Sequence, residues 1–336
     1  MPSTVFRLPF EQPISELQDQ IVQLETSEQK TPEQRERIRG LRKQLTETTR
    51  TIYKNLDPWE TVRVARHPER PMFTDYLGLV FDEFVELHGD RFFGDDRALR
   101  TGFAKLGEFK VLVAGHQKGK TLKERNECYF GCAHPEGYRK AMKKMRLAAK
   151  FGLPIITVID TPGAFPGIGA EERGQAQVIA ESMLSMSRLP TPIICVVIGE
   201  GGSGGALGIG VGDRVAVLEH AYYSVISPEG CAGILWKSHD YAEQAAGALR
   251  ITSRHLKEMG TIDDVIEEPL GGAHRDHRQM ARRLKMYLTK TLRELLDLPT
   301  EELISQRYEK FRRMGPFLEL PEEPPVEAAT DAPADA

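Results

Sequence analysis

The chain has 336 residues, of which 40% are hydrophobic and 28% are charged, and its formal net charge is −4. Pro321–Ala336 holds five acidic residues and no basic ones, so the remainder is nearly neutral, and composition gives no basis for nucleic-acid or membrane binding. Four cysteines argue against a disulfide scaffold, and the lack of a long apolar run or a signal pattern predicts a reduced, cytoplasmic protein.

Residues 1–56 are predicted to form an N-terminal helical hairpin. Apolar residues recur at three-, four- and seven-residue spacings with charged residues between them, namely Ile14, Leu17, Ile21 and Leu24, then Ile38, Leu41, Leu45 and Ile52. Thr31, Pro32 and Glu33 provide an N-cap, a proline at the first helical position and an early acid, which separates two helices. We expect this hairpin to cap a domain or to pack on a partner.

Residues 57–315 alternate predicted strands with predicted helices and are expected to form the main domain. The predicted strands cover residues 110–115, 154–160, 192–199, 214–218 and 223–226, and the predicted helices cover 136–151, 171–187 and 280–314. This alternation favours an α/β fold with parallel strands. The Pro/Ala-rich acidic tail, residues 316–336, is predicted to be disordered because it cannot bury enough apolar surface to fold.

An internal repeat supports this organisation. LPIITVI at 153–159 returns as TPIICVV at 191–197, 38 residues later, and both copies lead into a glycine-rich turn and then a helix. A strand-and-helix unit repeated at this period predicts stacked turns of a superhelix.

The glycine cluster at 199–205, GEGGSGG, directly follows a predicted apolar strand. It satisfies the dinucleotide-binding pattern G-x-G-x-x-G, and Glu219 lies where a ribose-binding acid would be expected. The stretch between Gly204 and Val211 is too short, however, for the helical crossover of a dinucleotide-binding unit. Backbone N–H groups in such a cluster can bind phosphate or stabilise an oxyanion, and the pattern alone leaves both uses open.

A second loop, AGHQKGKT at 114–121, resembles a relaxed Walker A motif, with Asp160 as the acid of a switch or Walker B element. Ala114 stands where the first glycine of the motif belongs, and bulky residues follow where backbone N–H groups would have to surround phosphate. The sequence also lacks an Asn-Lys-x-Asp base-recognition motif. These departures argue against a nucleotide site.

Cys128, Cys132 and His134 have a spacing that suggests a metal-binding knuckle. Structural zinc normally needs four ligands, and the next cysteine, Cys195, lies inside a predicted strand. We therefore predict unliganded thiols in a loop and no metal site.

Two further turns follow predicted strands, DTPGAFPG at 160–167 and VISPEGCA at 225–232, in addition to the glycine cluster, which extends as GEGGSGGAL over 199–207. No evident Ser–His–Asp set or carboxylate pair accompanies them, so the chain offers backbone donors more plainly than nucleophiles. These segments closely resemble the α subunit of the carboxyltransferase of bacterial-type, multisubunit acetyl-CoA carboxylases.

The resemblance extends over about residues 10–314, in family order and with specific motifs. Further matches are FDEF at 81–84, GHQKG at 115–119, PEGYRK at 135–140, ILWK at 234–237 and EPLGGAH at 268–274. Cys132 and His134 depart from the family pattern, which leaves the role of that local loop open.

The resemblance implies a crotonase-like (ClpP/crotonase) superhelix of ββα units, with an N-terminal helical hairpin and C-terminal helices. It implies transfer of a carboxyl group from carboxybiotin, carried on a biotin carboxyl carrier protein, to acetyl-CoA, which gives malonyl-CoA in the first committed step of fatty acid biosynthesis. It assigns the oxyanion hole for the biotin ureido oxygen to Gly204 and Gly205. The wall that faces carboxybiotin is assigned to Gly163, Ala164, Gly167, Gly169, Gly201 and Gly202.

The resemblance also implies a division of work between subunits. A β subunit with a zinc ribbon is expected to hold the acetyl-CoA enolate, and the lack of a Cys-x2-Cys pair in this chain agrees with that division. The expected assembly is an α2β2 heterotetramer without membrane contact, which works with the carrier protein and with a biotin carboxylase that uses ATP. No covalently bound cofactor and no metal are expected on this chain.

Overall fold

The computed structural model describes residues 6–26 and 31–315. The helices are α1 (Gln12–Glu25), α2 (Pro32–Lys54), α3 (Pro58–Ala65), α4 (Phe73–Val80), α5 (Leu122–Glu127), α6 (Pro135–Lys150), α7 (Ile168–Glu172), α8 (Gln175–Arg188), α9 (Ser203–Leu207), α10 (Pro228–Leu235), α11 (Ala242–Leu249), α12 (Ser253–Glu258), α13 (His277–Leu296) and α14 (Thr300–Arg312). The strands are β1 (Asp82–Glu86), β2 (Leu99–Leu106), β3 (Phe109–His116), β4 (Ile155–Thr161), β5 (Ile193–Gly202), β6 (Arg214–Leu218), β7 (Tyr222–Ser224) and β8 (Asp264–Ile266). The predicted tail, residues 316–336, lies outside the described residues.

The strands form one mixed sheet in the order β1-β2-β3-β4-β5-β6-β8, and β7 pairs with the end of β5. The first three strands are antiparallel, whereas every pairing from β3 onward is parallel, as the alternation of strands and helices predicts. The prediction missed β1, β2 and β8. Because β3, β4 and β5 run in parallel, their carboxyl ends meet at one edge of the sheet.

The internal repeat in the sequence matches the pairing register of the two central strands, β4 and β5. Ile155 pairs with Ile193 and Val158 with Val196, which is the 38-residue offset of the repeated sequence. The register then shifts, so that Thr161 pairs with Gly201. Every residue of β4 and β5 is buried, and the two strands form the centre of the core. The register shift therefore lies at the carboxyl end of the strands, where the glycine-rich turns begin.

Several predicted elements have different bounds in the structure. The predicted helix 171–187 is two helices, because Gly174 adopts φ +80° between α7 and α8. The predicted helical region 280–314 is also two helices, α13 and α14, with Pro299 as the N-cap of α14. The last predicted strand is shorter, because the Ser224 hydroxyl group donates to the Ile226 carbonyl oxygen and closes a turn.

The N-terminal helices pack on the sheet-bearing part of the chain. Thr31 caps α2 by accepting a hydrogen bond from the Gln34 N–H at 3.3 Å, which confirms the predicted start of that helix. The buried Glu11 carboxylate accepts a hydrogen bond from Tyr53 and pairs with Arg275. Division of the chain at residues 56/57 and 315/316 stays a prediction. Within the described residues, no helix has both the length and the apolar character to cross a membrane.

Candidate active site

The site lies at the edge of the sheet where β5 turns directly into α9. Ser203 adopts φ +49° at this turn, a left-handed conformation that is strained for a residue with a Cβ atom. The glycines on either side let the backbone reverse and pack closely. This turn places the first residues of α9 against the loop that follows β4.

Gly205 and Gly202 touch the backbone of the 161–164 turn. A Cβ atom on Gly205 would lie 2.4 Å from the carbonyl carbon of Gly163 and 2.5 Å from the nitrogen of Ala164. A Cβ atom on Gly202 would lie 2.1 Å from the carbonyl oxygen of Pro162. Any side chain at either position would therefore separate the two backbones.

The N–H groups of Gly204 and Gly205 belong to the first turn of α9, where a helix provides no acceptor. In the described part of the chain, neither group donates to a backbone or side-chain oxygen. The 161–164 turn is rigid by contrast, because the Thr161 hydroxyl group donates to the Gly163 carbonyl oxygen at 2.7 Å and accepts from its N–H at 3.1 Å. The result is a pair of backbone donors beside a fixed loop.

Known proteins are similar to this chain in sequence over almost all of its length. The family model for acetyl co-enzyme A carboxylase carboxyltransferase-like proteins matches residues 7–315. The chain is 66% identical over 312 residues to the acetyl-coenzyme A carboxylase carboxyl transferase subunit alpha of Rhodopirellula baltica, across 93% of this chain and 98% of that protein. The chain belongs to the family of acetyl-CoA carboxylase carboxyltransferase α subunits. A second relative, from Methylococcus capsulatus, is 52% identical across 93% of this chain and 98% of its own.

Solved structures confirm the predicted crotonase-like α/β fold of this α subunit. The transcarboxylase 12S chain superposes with a TM-score of 0.52 at 22% identity, across 66% of this chain and 42% of that one. The β subunit of geranyl-CoA carboxylase from P. aeruginosa superposes with a TM-score of 0.53 at 14% identity, across 75% of this chain and 45% of that one. The α subunit therefore spans less than half of each solved chain, and at these identities the likeness concerns the fold.

The predicted site residues do not all meet. Gly163, Ala164, Gly202 and Gly205 pack together, and a Cβ atom on Gly204 would lie 3.6 Å from Ile179. The other three face different neighbours: Gly201 lies against the Tyr223 ring, Gly167 against Phe165 and Gly169 against Arg173. The carboxybiotin wall as a whole stays a prediction.

A charged network that the sequence did not reveal lies beneath the turn. The Lys118 Nζ atom is 2.7 Å from an oxygen of Asp160 and 2.6 Å from an oxygen of Glu200. Arg66 Nε donates to Glu200 at 2.6 Å, and the Tyr222 hydroxyl group donates to the same carboxylate at 2.6 Å. The network ties together the carboxyl ends of β3, β4 and β5.

The network keeps Glu200 and Lys118 ionised. Burial opposes the charge on Glu200, but Lys118 and Arg66 outweigh it and lower the pKa of Glu200 to about 2. Burial likewise opposes the charge on Lys118, whose pKa the two carboxylates Asp160 and Glu200 nevertheless raise. These buried charges are therefore paired, which is the condition under which they are tolerated inside a protein.

The alternative motifs have structural explanations. In the relaxed Walker A loop, Lys120 pairs with Asp75 at 2.5 Å and Thr121 caps α5. In the cysteine loop, His134 stacks on Phe165 with ring centroids 4.0 Å apart. Among the described residues, no three His, Cys, Asp or Glu side chains are grouped to hold a metal ion.

Proposed function

We propose that this α subunit provides the carboxybiotin half of the carboxyltransferase site, with the N–H groups of Gly204 and Gly205 as donors to the biotin ureido oxygen. The two unpaired donors beside the 161–164 turn are the observation that carries this assignment. Carboxybiotin is a substrate here, presented by a carrier protein, and negative charge develops on its ureido oxygen as the carboxyl group leaves. Each fixed donor aimed at such a charge contributes about 3–4 kcal/mol to the transition state.

The local geometry fits a flat ring that approaches the backbone. A Cβ atom on Gly163 would meet nothing within 4 Å, so its absence leaves open space beside the turn. We assign Gly163 and Ala164, which contact Gly205, to the wall nearest the donors. Gly202 supports that wall from behind through Pro162. A role for Gly167, Gly169 and Gly201 in the carboxybiotin wall stays a prediction.

The rest of the reaction is proposed to lie on other chains. A zinc-ribbon β subunit would bind acetyl-CoA and stabilise its enolate, in an α2β2 assembly supplied by the carrier protein and biotin carboxylase. Biotin freed of its carboxyl group would take the methyl proton of acetyl-CoA, so no catalytic histidine or glutamate is required from this chain. The product would be malonyl-CoA for fatty acid synthesis, and the proposed location is the cytoplasm.

The substitution Gly205→Ala tests the donor assignment. Its methyl group must displace the Gly163–Ala164 peptide, so the N–H groups of α9 lose their fixed direction. We expect kcat for malonyl-CoA formation, measured with purified α subunit, β subunit, carboxybiotin and acetyl-CoA, to fall by about 100-fold or more. The α subunit without the β subunit should form no malonyl-CoA.

Gly212→Ala is the matched control. A Cβ atom there would lie 2.8 Å from both the Cys195 sulfur and the Ile193 carbonyl oxygen, so the substitution also crowds buried atoms. Gly212 precedes β6, at the opposite edge of the sheet from the donors. The Gly212→Ala substitution should lower thermal stability without lowering kcat. Equal kcat losses in both variants, or near wild-type kcat in Gly205→Ala, would contradict the donor assignment.

A further inference from the structure

Tyr138 contacts the carbonyl group of Gly205, one of the two residues of the proposed oxyanion site. It lies in the first turn of α6 with its side chain fully buried, and its hydroxyl group donates to the Gly205 carbonyl oxygen at 3.1 Å. A carbonyl oxygen only accepts, so the hydroxyl group must provide the proton. Burial raises the pKa of Tyr138 well above its usual value, so the side chain remains a donor at neutral pH.

The end of α9 explains why Gly205 needs this donor. The Gly208 N–H bonds to the Gly204 carbonyl oxygen at 2.9 Å, and the Ile209 N–H bonds to the Ala206 carbonyl oxygen at 3.2 Å. The helix tightens between these two bonds and skips the carbonyl group of Gly205, which receives no backbone N–H from the described residues. Tyr138 supplies the missing donor, since a buried carbonyl group without one is costly.

The Tyr138 ring is also held in place. A Cβ atom on Gly208 would lie 2.5 Å from the ring, so the absence of a side chain there lets the ring pack on the helix. The Cα atom of Gly205 is pressed against the Gly163–Ala164 peptide on one side, and its carbonyl group is fixed by Tyr138 on another. The group of Gly205 that remains unpaired is its N–H.

We propose that Tyr138 is a positioning residue for carboxyl transfer: its hydroxyl group fixes the Gly205 carbonyl group and so aims the Gly205 N–H at the developing oxyanion. This inference rests on the proposed donor role of Gly205. It adds a residue 67 positions away in the sequence that touches no substrate and acts through the backbone of Gly205, whose carbonyl group and N–H lie in the two peptides on either side of its Cα atom.

The test uses Tyr138→Phe in the assembled α and β complex, with kcat and KM measured in the reverse direction on malonyl-CoA and free biotin. We expect kcat to fall about 10-fold, because the N–H donor stays but loses its fixed direction, whereas loss of a whole donor costs about 100-fold or more. Both KM values should stay within about twofold of wild type, since ground-state contacts are untouched.

Tyr76→Phe is the control, because Tyr76 is fully buried and its hydroxyl group has no hydrogen-bond partner among the described residues. It should keep the wild-type kcat. Gly208→Ala pushes the Tyr138 ring by another route, and we expect its effect on kcat not to add to that of Tyr138→Phe. Additive losses, an equal loss in Tyr76→Phe, or a rise in KM without a fall in kcat would each overturn the positioning role.

The two proposals fail separately. Wild-type kcat in Tyr138→Phe together with an inactive Gly205→Ala would remove the positioning role and keep the oxyanion hole. Wild-type kcat in both variants would remove the oxyanion hole itself.

Discussion

Glu200 shows how a single buried carboxylate is kept charged next to the proposed site. Its side chain is almost inaccessible, yet Lys118, Arg66 and Tyr222 all reach it. Its backbone N–H donates to Asp160 at 2.9 Å, which joins β5 to β4 at the register shift. The residue therefore holds together the strand ends from which the glycine-rich turn departs.

The ionisation of the Glu200 carboxylate should make the free energy of unfolding depend on pH. The folded-state pKa of Glu200 is about 2, below the ordinary value of 4.5, so its contribution is present above pH 4.5 and is lost as the pH falls toward 2. Urea unfolding of wild type and Glu200→Gln should differ by about 3 kcal/mol at pH 7. The difference should vanish near pH 2. A difference that stays constant with pH would contradict this assignment.

Contacts between residues that lie far apart in the sequence could not be predicted from it. Asp160 and Glu200 follow the two copies of the repeat, but nothing in the sequence marks their carboxylates as partners of Lys118. Arg66 and Tyr138 carry no local signal, since they lie 134 and 67 residues from their partners. Only the folded sheet brings them to the turn, and no spacing rule connects them.

The elements were predicted best where a repeat or a cap marks them. The 38-residue offset of the repeat is the offset at which β4 pairs with β5, and the predicted cap Thr31 caps α2. The missed strands β1 and β8 are short and only partly buried, so they lack the apolar run that marks a core strand. The break between α7 and α8 was missed because a lone glycine within a helical pattern does not reveal the sign of its φ.

Gly174→Ala tests that break. Gly174 adopts φ +80°, and a Cβ atom would meet nothing closer than 3.9 Å, so the cost is conformational rather than steric. We expect the free energy of unfolding to fall by about 1 kcal/mol. Gly40→Ala is the matched control, because Gly40 lies within α2 with open space around it, and it should raise stability by up to about 1 kcal/mol. Unchanged stability in Gly174→Ala would show that the break is not imposed by this glycine.

Across the whole molecule, Arg307 joins the C-terminal helix to the sheet. Its guanidinium group is fully buried, pairs with Asp213 at 2.7 Å, and donates to the carbonyl oxygens of Met186, Leu189 and Thr191. Asp213 in turn accepts from the Ile193 N–H at the start of β5. One side chain thus ties α14, the end of α8 and the start of β5 together.

Arg307→Met should therefore lower the free energy of unfolding strongly. It leaves the Asp213 carboxylate buried without its cation, which typically costs about 3–5 kcal/mol. Denaturant unfolding followed by far-UV circular dichroism should show this loss. Arg313→Met, which removes an exposed arginine near the end of the same helix, should change stability by less than about 0.5 kcal/mol. Similar losses in the two variants would argue against a special role for the buried pair.

The buried arginine also sets an order of events during synthesis. The central strands are synthesised before residue 307. Until Arg307 is added, Asp213 and the carbonyl group of Thr191 therefore lack the guanidinium group that they bind in the folded protein. The end of the sheet opposite the glycine-rich turn is completed only when the last described helix arrives. The proposed site therefore rests on a sheet whose opposite end is completed by a residue 94 positions beyond Asp213 in the chain.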